Sequence, residues 1–356
     1  MKSILRKIGR SRLALIVGAL VLIGVGGVAI LSQTGSDGGG ERAASDSEAL
    51  TSSASPTGGT PAATPSASPS PTPSASATPS ASPSAKTESA SGADKYKEVC
   101  APYPAFPDEN CTGWKHTGVK LKDCNGDIRK SGITLDGCRF KDLKIVAKDV
   151  TIKRSHVTGS VYASYMTDWD FQNLTLIDVE VEDAGNASPD RAAIGGPNFT
   201  CIRCHVHNTG TGISMSDNVT IKESYVHDFT YTDGAHQAAA GANGGQNITL
   251  IHNNLECSRT NVGADKQGCS SALSLYDEPV IKNVLVQNNL FNTAGGYCTY
   301  GGGPNSSNVR YIDNQFGKKF HPKCGGYGPV AAWHKGNPGH VWRGNTWQGT
   351  KTAINP

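Results

Sequence analysis

An excess of charge of either sign is missing from this chain. Its 33 lysines and arginines face 30 aspartates and glutamates, and seven of the former and five of the latter precede residue 94. The remainder is close to neutral and holds no basic surplus to attract a polyanion, so no nucleic acid is expected as a partner. Cysteine is absent before Cys100, and a lipid-modified cysteine is therefore not expected near the amino terminus. From Gly35 to Ala93 large apolar residues are almost absent, the stretch being Ser, Ala, Thr and Pro. Such a composition cannot bury enough surface to offset its ordering entropy. Residues 32–93 are read as a disordered linker, long enough to serve as a stalk.

Only one long apolar run stands in the chain. Residues 13–31, LALIVGALVLIGVGGVAIL, are uncharged and of the length that crosses a bilayer as a helix. Lys2, Arg6, Lys7, Arg10 and Arg12 in the preceding segment 1–12 keep that end cytoplasmic by the positive-inside bias, exporting everything after Leu31. Two readings compete. An uncleaved signal anchor gives a single-pass cell-membrane protein with an extracellular C-terminal domain; a signal peptide cut near Gly27-Val28-Ala29 gives a secreted one. In either case the ten cysteines, all at or after Cys100, are exported. Their even number reads as disulfides in an oxidising compartment, with neighbour pairs such as Cys100–Cys111 and Cys257–Cys269 the simplest connectivity.

A short phrase recurs from Asp149, Asn173, Asn198, Asn218, Asn247, Asn283 and Asn308, with spacings of 24, 25, 20, 29, 36 and 25 residues. One position on stands an apolar residue (Val150, Leu174, Phe199, Val219, Ile248, Val284, Val309), and at offset three another, mostly apolar column, Ile152 to Tyr311. Offset six is small or an amide, including Ser155, Ser224, Asn253, Asn289 and Asn314; offset eight is apolar again, Val157 to Phe316. Offsets one and three point to one side of an extended strand. The jump to six requires a tight corner, after which a second strand begins. A phrase that persists while its period wanders is the mark of a solenoid with loops inserted on one face. Coils stacked about 4.8 Å apart place Asn253, Asn289 and Asn314 in file as an amide ladder. Cys201 and Cys204 have the spacing of a redox or zinc pair, but both fall on inward columns, which favours buried thiols or a local bridge. Weaker copies open at Gly132 and at Gly339, the latter with Trp342, Asn345 and Trp347; His340 replaces an aliphatic there, so that coil is expected to be irregular. The fold class is thus all-β, a single-stranded parallel β-helix of about nine coils over 130–356, with 94–129 as an N-terminal cap.

With these columns the chain resembles right-handed parallel β-helix proteins of the pectate-lyase-like superfamily, over residues 130 to 350. The segment KKFHPKCGGYGPV, residues 318 to 330, resembles a recurring feature of exported actinobacterial β-helix proteins. That fold hosts lyases, hydrolases, epimerases, esterases and non-catalytic adhesins, so the resemblance speaks to architecture more than to reaction. It implies that ligands lie along the strand preceding the phrase and the loop before that strand. Here the two longest intervals carry extra residues, at 229–236 and 256–271.

Those insertions and the coils after them supply the candidates. Cleavage of a uronate polymer by β-elimination requires a cation for the carboxylate, a base and an acid. His236, Asp233, Lys266 and Tyr276 are read as the catalytic set, with His236 or a lysine as base and Tyr276 as acid. Arg259, Lys323, Tyr297, Tyr300 and Trp333 are read as substrate-binding, the cations offsetting uronate charge and the aromatics stacking on sugar rings; closing the end of the solenoid is an equal use for Trp333. Ca2+, which needs several converging oxygens, would draw on Asp228, Asp233 and Asp265. Hydrolysis by two carboxylates about 5 to 9.5 Å apart has no clear counterpart here. One departure weighs against any enzyme: many fold relatives read His-x-Asp-Gly where this chain reads His236-Gln237-Ala238-Ala239. Two functions stand as expectations, with polysaccharide or cell-wall glycan as the partner. One is a surface-held protein engaging extracellular polysaccharide, as a lyase on a uronate-containing polymer; the other is a non-catalytic carbohydrate-binding or adhesion module.

Overall fold

The computed structural model describes residues 99–163, 171–182, 192–230, 236–258 and 268–356. The apolar run 13–31 and the linker lie outside them, and among the described residues no helix is long and apolar enough to cross a membrane. Apart from one 3-10 turn, Lys115–Thr117, the described secondary structure is all strand.

Each coil takes three strands. In one of them Thr211–Met215 is followed by Val219–Lys222, a corner at Glu223 and Ser224, and then Tyr225–Val226. The second and third of these, here termed leading and trailing, join their equivalents in a seventeen-stranded sheet; the first, termed lateral, joins a nine-stranded one. Every inter-coil pairing is parallel and follows the anchors: Phe199 pairs with Leu174 below and Val219 above, Val219 with Ile248, Ile248 with Val284 and Val284 with Val309. The described residues thus wind as a parallel β-solenoid. Apolar side chains at offsets one, three and eight, from Val150, Ile152 and Val157 to Val309, Tyr311 and Phe316, are all buried. Burial of this kind contributes roughly 25 cal/mol per Å² of apolar surface.

Two corners per coil require left-handed backbone, and that explains the anchor residue. Asp149, Asn173, Asn198, Asn218, Asn247, Asn283 and Asn308 all have φ between 52° and 63°, a region in which Asn and Asp are the tolerated side chains. They also bond to one another outside the coil. Asn218 Nδ2 donates to Asn198 Oδ1 at 2.9 Å, Asn247 to Asn218 at 2.9 Å and Asn308 to Asn283 at 2.9 Å. Offset five is left-handed too, at Arg154, Asp178, Arg203, Glu223, His252, Asn288 and Asp313. Several of these offset the conformational cost by pairing across coils: Arg203 Nε donates to Asp178 Oδ1 at 2.6 Å, and Arg203 Nη1 lies 3.6 Å from Glu223. In the terminal copies both places are glycine, Gly132 with Gly137 and Gly339 with Gly344. No neighbouring coil is then needed to hold the turn.

Inside the corner, the expected amide ladder is present. Asn253 Nδ2 donates to Asn289 Oδ1 at 2.9 Å, Asn289 to Asn314 at 3.0 Å and Asn314 to Asn345 at 2.9 Å. The same oxygens accept the backbone N–H of the coil below, and each Nδ2 also donates to a backbone carbonyl of that coil, Asn253 to Ile221 and Asn289 to Leu250. Ser224 continues the file with a hydroxyl: its Oγ accepts the N–H of Cys204, and its own N–H donates to Asn253 Oδ1.

The segment read as an N-terminal cap divides in two. Residues 122–128 form the first coil, Lys122–Asp123 pairing with Cys138–Phe140 and Asp127–Ile128 with Leu143–Ile145. The described residues before them form a strap on the outside of the trailing strands, running against the coil order. Gln315 donates to Tyr103, His252 meets Ala105 O at 2.8 Å, Asn254 donates to Pro107 O, Gly113 N donates to Arg203 O, and His116 meets Asp178 at 3.1 Å. At the far end Trp342 Nε1 donates to Ile354 O at 2.7 Å, so the chain folds back over its last coil. Pairing there resumes at Arg310 with Val341, one residue beyond His340, which is the irregularity expected.

The cysteines pair as Cys100–Cys111, Cys124–Cys138, Cys201–Cys204, Cys257–Cys269 and Cys298–Cys324. The two expected neighbour pairs are among them, and Cys201–Cys204 is a buried local bridge.

Asn289→Ala removes one oxygen that serves two donors of Asn253. At about 1–3 kcal/mol for each buried donor left unpaired, the urea midpoint is expected to fall by more than in Leu285→Ala, on the outer face of the leading strand in the same coil. Equal midpoints in the two variants would remove the ladder from the account of stability.

Candidate functional site

The lateral sheet carries the candidate site on its outer face. Consecutive coils place Tyr162, Gly195, Ser214, Gly241, Ser274, Tyr300 and Ala331 in one column, each paired with the next. Ala238 and Ser271 stand in register beside it. Small residues make the middle of this face a smooth floor. Ser271 and Ser274 close on each other through a hydroxyl contact of 2.6 Å. The insertions at 183–191, 231–235 and 259–267 precede lateral strands and so border this floor in sequence, though they lie outside the described residues.

Tyrosine marks one end of the floor. Tyr276 and Tyr300 have ring centroids 5.1 Å apart, Tyr300 and Tyr297 5.9 Å, and Tyr297 and Tyr327 5.7 Å. The strand Tyr297–Gly301 supplies two of these rings, Tyr276 follows Cys269–Leu275, and Tyr327 comes from the segment after Phe316. That segment is fastened from both directions. The Cys298–Cys324 bridge ties it to the strand beneath, and Gly326 N and Tyr327 N donate to Gly295 O and Gly296 O at 2.9 and 2.7 Å. Glycine is required at 325, where a Cβ would stand 2.6 Å from Gly296 O and 2.7 Å from Tyr297 Cα. Tyr327 is left 77% exposed, which makes its ring available to a ligand. Burial, and then the phenols of Tyr276 and Tyr297, raise the pKa of Tyr300 above the ordinary phenol value. That phenol, at the centre of the strip, is therefore neutral and able to donate a hydrogen bond at physiological pH.

The sequence candidates distribute unevenly over this surface. Tyr276, Tyr297 and Tyr300 come together. Lys323 is exposed in the fastened segment between Phe320 and Tyr327. Trp333 sits with the end of the stack, its ring 4.8 Å from His340, 5.2 Å from Trp342 and 5.7 Å from Tyr311. His236 is exposed just before Gln237–Ala242, whose N–H at Gln237 donates to Gly268 O. Tyr276 N donates to Ala242 O, at the other end of that same strand. At about 3.3 Å per residue the two positions stand roughly 20 Å apart. The strand so sets the proposed base and acid at its two ends and does not bring their backbones together. Asp233, Arg259 and Lys266 lie outside the described residues, as does Asp265. Asp228, read as a calcium donor, meets His227 Nδ1 at 2.9 Å and accepts from Ser258 at 2.9 Å, on the trailing-strand face and not on the lateral one.

Two groups escaped the sequence reading. Tyr327 lies within KKFHPKCGGYGPV, but only the bridge to Cys298 reveals that it joins Tyr297. The residues Glu180, His205, His207 and His227 occupy offsets seven and nine of the phrase, and stacking those offsets as the inward columns were stacked would have assembled them. An open cleft of ≈ 630 Å³ lies elsewhere, at the mouth of the first coil around Ile128, Ile133 and Leu135. No family model, no curated protein and no solved structure matches the chain.

The double variant Cys298→Ser/Cys324→Ser is expected to leave the solenoid folded while releasing the segment that holds Tyr327. Limited proteolysis should then cut between residues 317 and 327 several-fold faster than in the parent protein. Unchanged cutting would show that the glycine contacts alone hold the strip.

Proposed function

We propose that this protein is an extracellular carbohydrate-binding module, held by its N-terminal anchor or released by cleavage, that engages an extended polysaccharide along the lateral sheet. The observation that supports it best is the file of four tyrosines at the end of a floor of small side chains. Pyranose rings present apolar faces with polar rims, and Tyr offers a rigid apolar ring with a hydroxyl at its edge. A polymer crossing the coils would pass small side chains and reach the tyrosine strip, whose outermost ring, Tyr327, is exposed. Lys323 is exposed in the same segment as Tyr327, which suits a uronate-containing or otherwise acidic cell-wall glycan. The right-handed winding and kinship with pectate-lyase-like exported proteins of actinobacterial type belong to this proposal, resting on the column pattern of the phrase.

Lyase action on a uronate polymer is the second reading. It is weakened by the separation of His236 from Tyr276, and its cations Arg259 and Lys266, its candidate Asp233 and any calcium would have to be supplied from the inserted segments.

Affinity electrophoresis through gels containing uronic and neutral polysaccharides tests the binding reading. Retardation by at least one polymer is expected, with Tyr300→Ala and Tyr327→Ala each weakening it about tenfold, the equivalent of about 1.4 kcal/mol. Absence of retardation on all polymers, or retardation untouched by both substitutions, would sink it. Following the absorbance of unsaturated product in the same mixtures separates the readings: product that vanishes in His236→Ala would favour the lyase.

A further inference from the structure

The outer face of the trailing strands carries a cluster of different chemistry. Pairing between coils stacks His156, Glu180, His205 and Tyr225, with Glu182, His207 and His227 two residues further along their strands. His207 Nε2 lies 2.9 Å from Glu180 Oε1, and His205 Nε2 lies 2.8 Å from His227 Nε2. One donor atom from each of Glu180, His205 and His207 falls within 4.8 Å of the other two. Glu180 is only 1% exposed, yet its second oxygen, Oε2, is buried without a hydrogen-bond partner. Leaving an ionised oxygen so costs more than the roughly 1–3 kcal/mol of a neutral group. A bound cation would remove that cost.

The surroundings prepare the imidazoles as well. Asp228, itself bonded to Ser258, pairs with His227 Nδ1 at 2.9 Å beside the cluster. A carboxylate behind a histidine in this way fixes the orientation of its ring. The strap covers one side: a Cβ on Gly113 would come within 3.0 Å of His205 Cβ. Lys115 Nζ donates to Glu180 Oε1 at 2.8 Å from a side chain 60% exposed, so an ion must displace it, which a mobile surface ammonium permits.

We propose that Glu180, His205 and His207 bind one divalent transition-metal ion, with water in the remaining position and His227 alongside. Two imidazoles and a carboxylate suit Zn2+ and its first-row neighbours. Calcium, which takes six to eight oxygens, does not fit this donor set. The site lies on a different sheet from the tyrosine strip and does not rest on the glycan reading.

Calorimetric titration of the full-length, untagged, EDTA-stripped chain with Zn2+ is the test, together with thermal unfolding in the presence and absence of the ion. One ion per chain and a raised melting midpoint are expected. His207→Ala and Glu180→Gln should each weaken binding at least tenfold. Lys115→Met should tighten it several-fold by removing the competing ammonium, a gain that misfolding could not produce. Absence of both heat and midpoint shift in the parent chain, or parent-like affinity in His207→Ala and Glu180→Gln together, would overturn the proposal.

Discussion

Everything in this fold depends on the inward corner at offset six. A strand that turns sharply into the solenoid brings its backbone N–H with it, and no water reaches that point. The Oδ1 of the amide one coil above accepts that N–H, while its Nδ2 reaches on to a further amide and to carbonyls below. Asn289, Asn314 and Asn345 so satisfy the corner collectively, each serving the coil before it. Where the file reaches Cys201 and Cys204 a covalent tie is added, a bridge between offsets three and six. Amide and hydroxyl answer the polar demand of the corner, and the disulfide fixes its shape.

The outside of each corner meets the complementary demand. Left-handed residues at offsets zero and five must be tolerated in every coil, and a run of glycines would lose the chain's ability to choose its register. Asn and Asp at the anchor supply both the conformation and a hydrogen bond to the neighbouring anchor, so the same residue bends the chain and aligns it. Offset five carries charge because Asp178, Arg203 and Glu223 lie in consecutive coils and alternate in sign. Threonine at offset two, from Thr134 through Thr249, pairs with itself across six coils, a β-branched rank suited to an extended outer face.

A frame stabilised this way leaves its faces free to differ. The lateral sheet carries a column of small residues and tyrosines on its outer face, whereas the trailing strands are covered by the strap and carry histidines and carboxylates. Cys257–Cys269 spans the longest interval between phrases and Cys298–Cys324 fastens the segment bearing Tyr327, so two of the five disulfides bracket residues added between phrases. Cross-links at excursions limit the freedom that a long loop would otherwise add to the unfolded state.

The columns of this chain were legible because they are local. Offsets within one phrase are set by the alternation of a strand and the geometry of one turn, and repetition then dictates which residues lie in file; the inward apolar ranks and the asparagine ladder come from spacing alone, whereas the connectivity of the five disulfides does not. What spacing could not decide is anything that joins different offsets. Only the folded chain shows that the residues from Cys100 to Gly118 lie along the flank and do not close an end. Only there does the bridge to Cys298 bring Tyr327 beside Tyr297, while an extended strand keeps His236 from Tyr276. Those outcomes depend on where loops between phrases travel, and a loop's path is determined by the surface it packs against, which exists only once the coils are stacked.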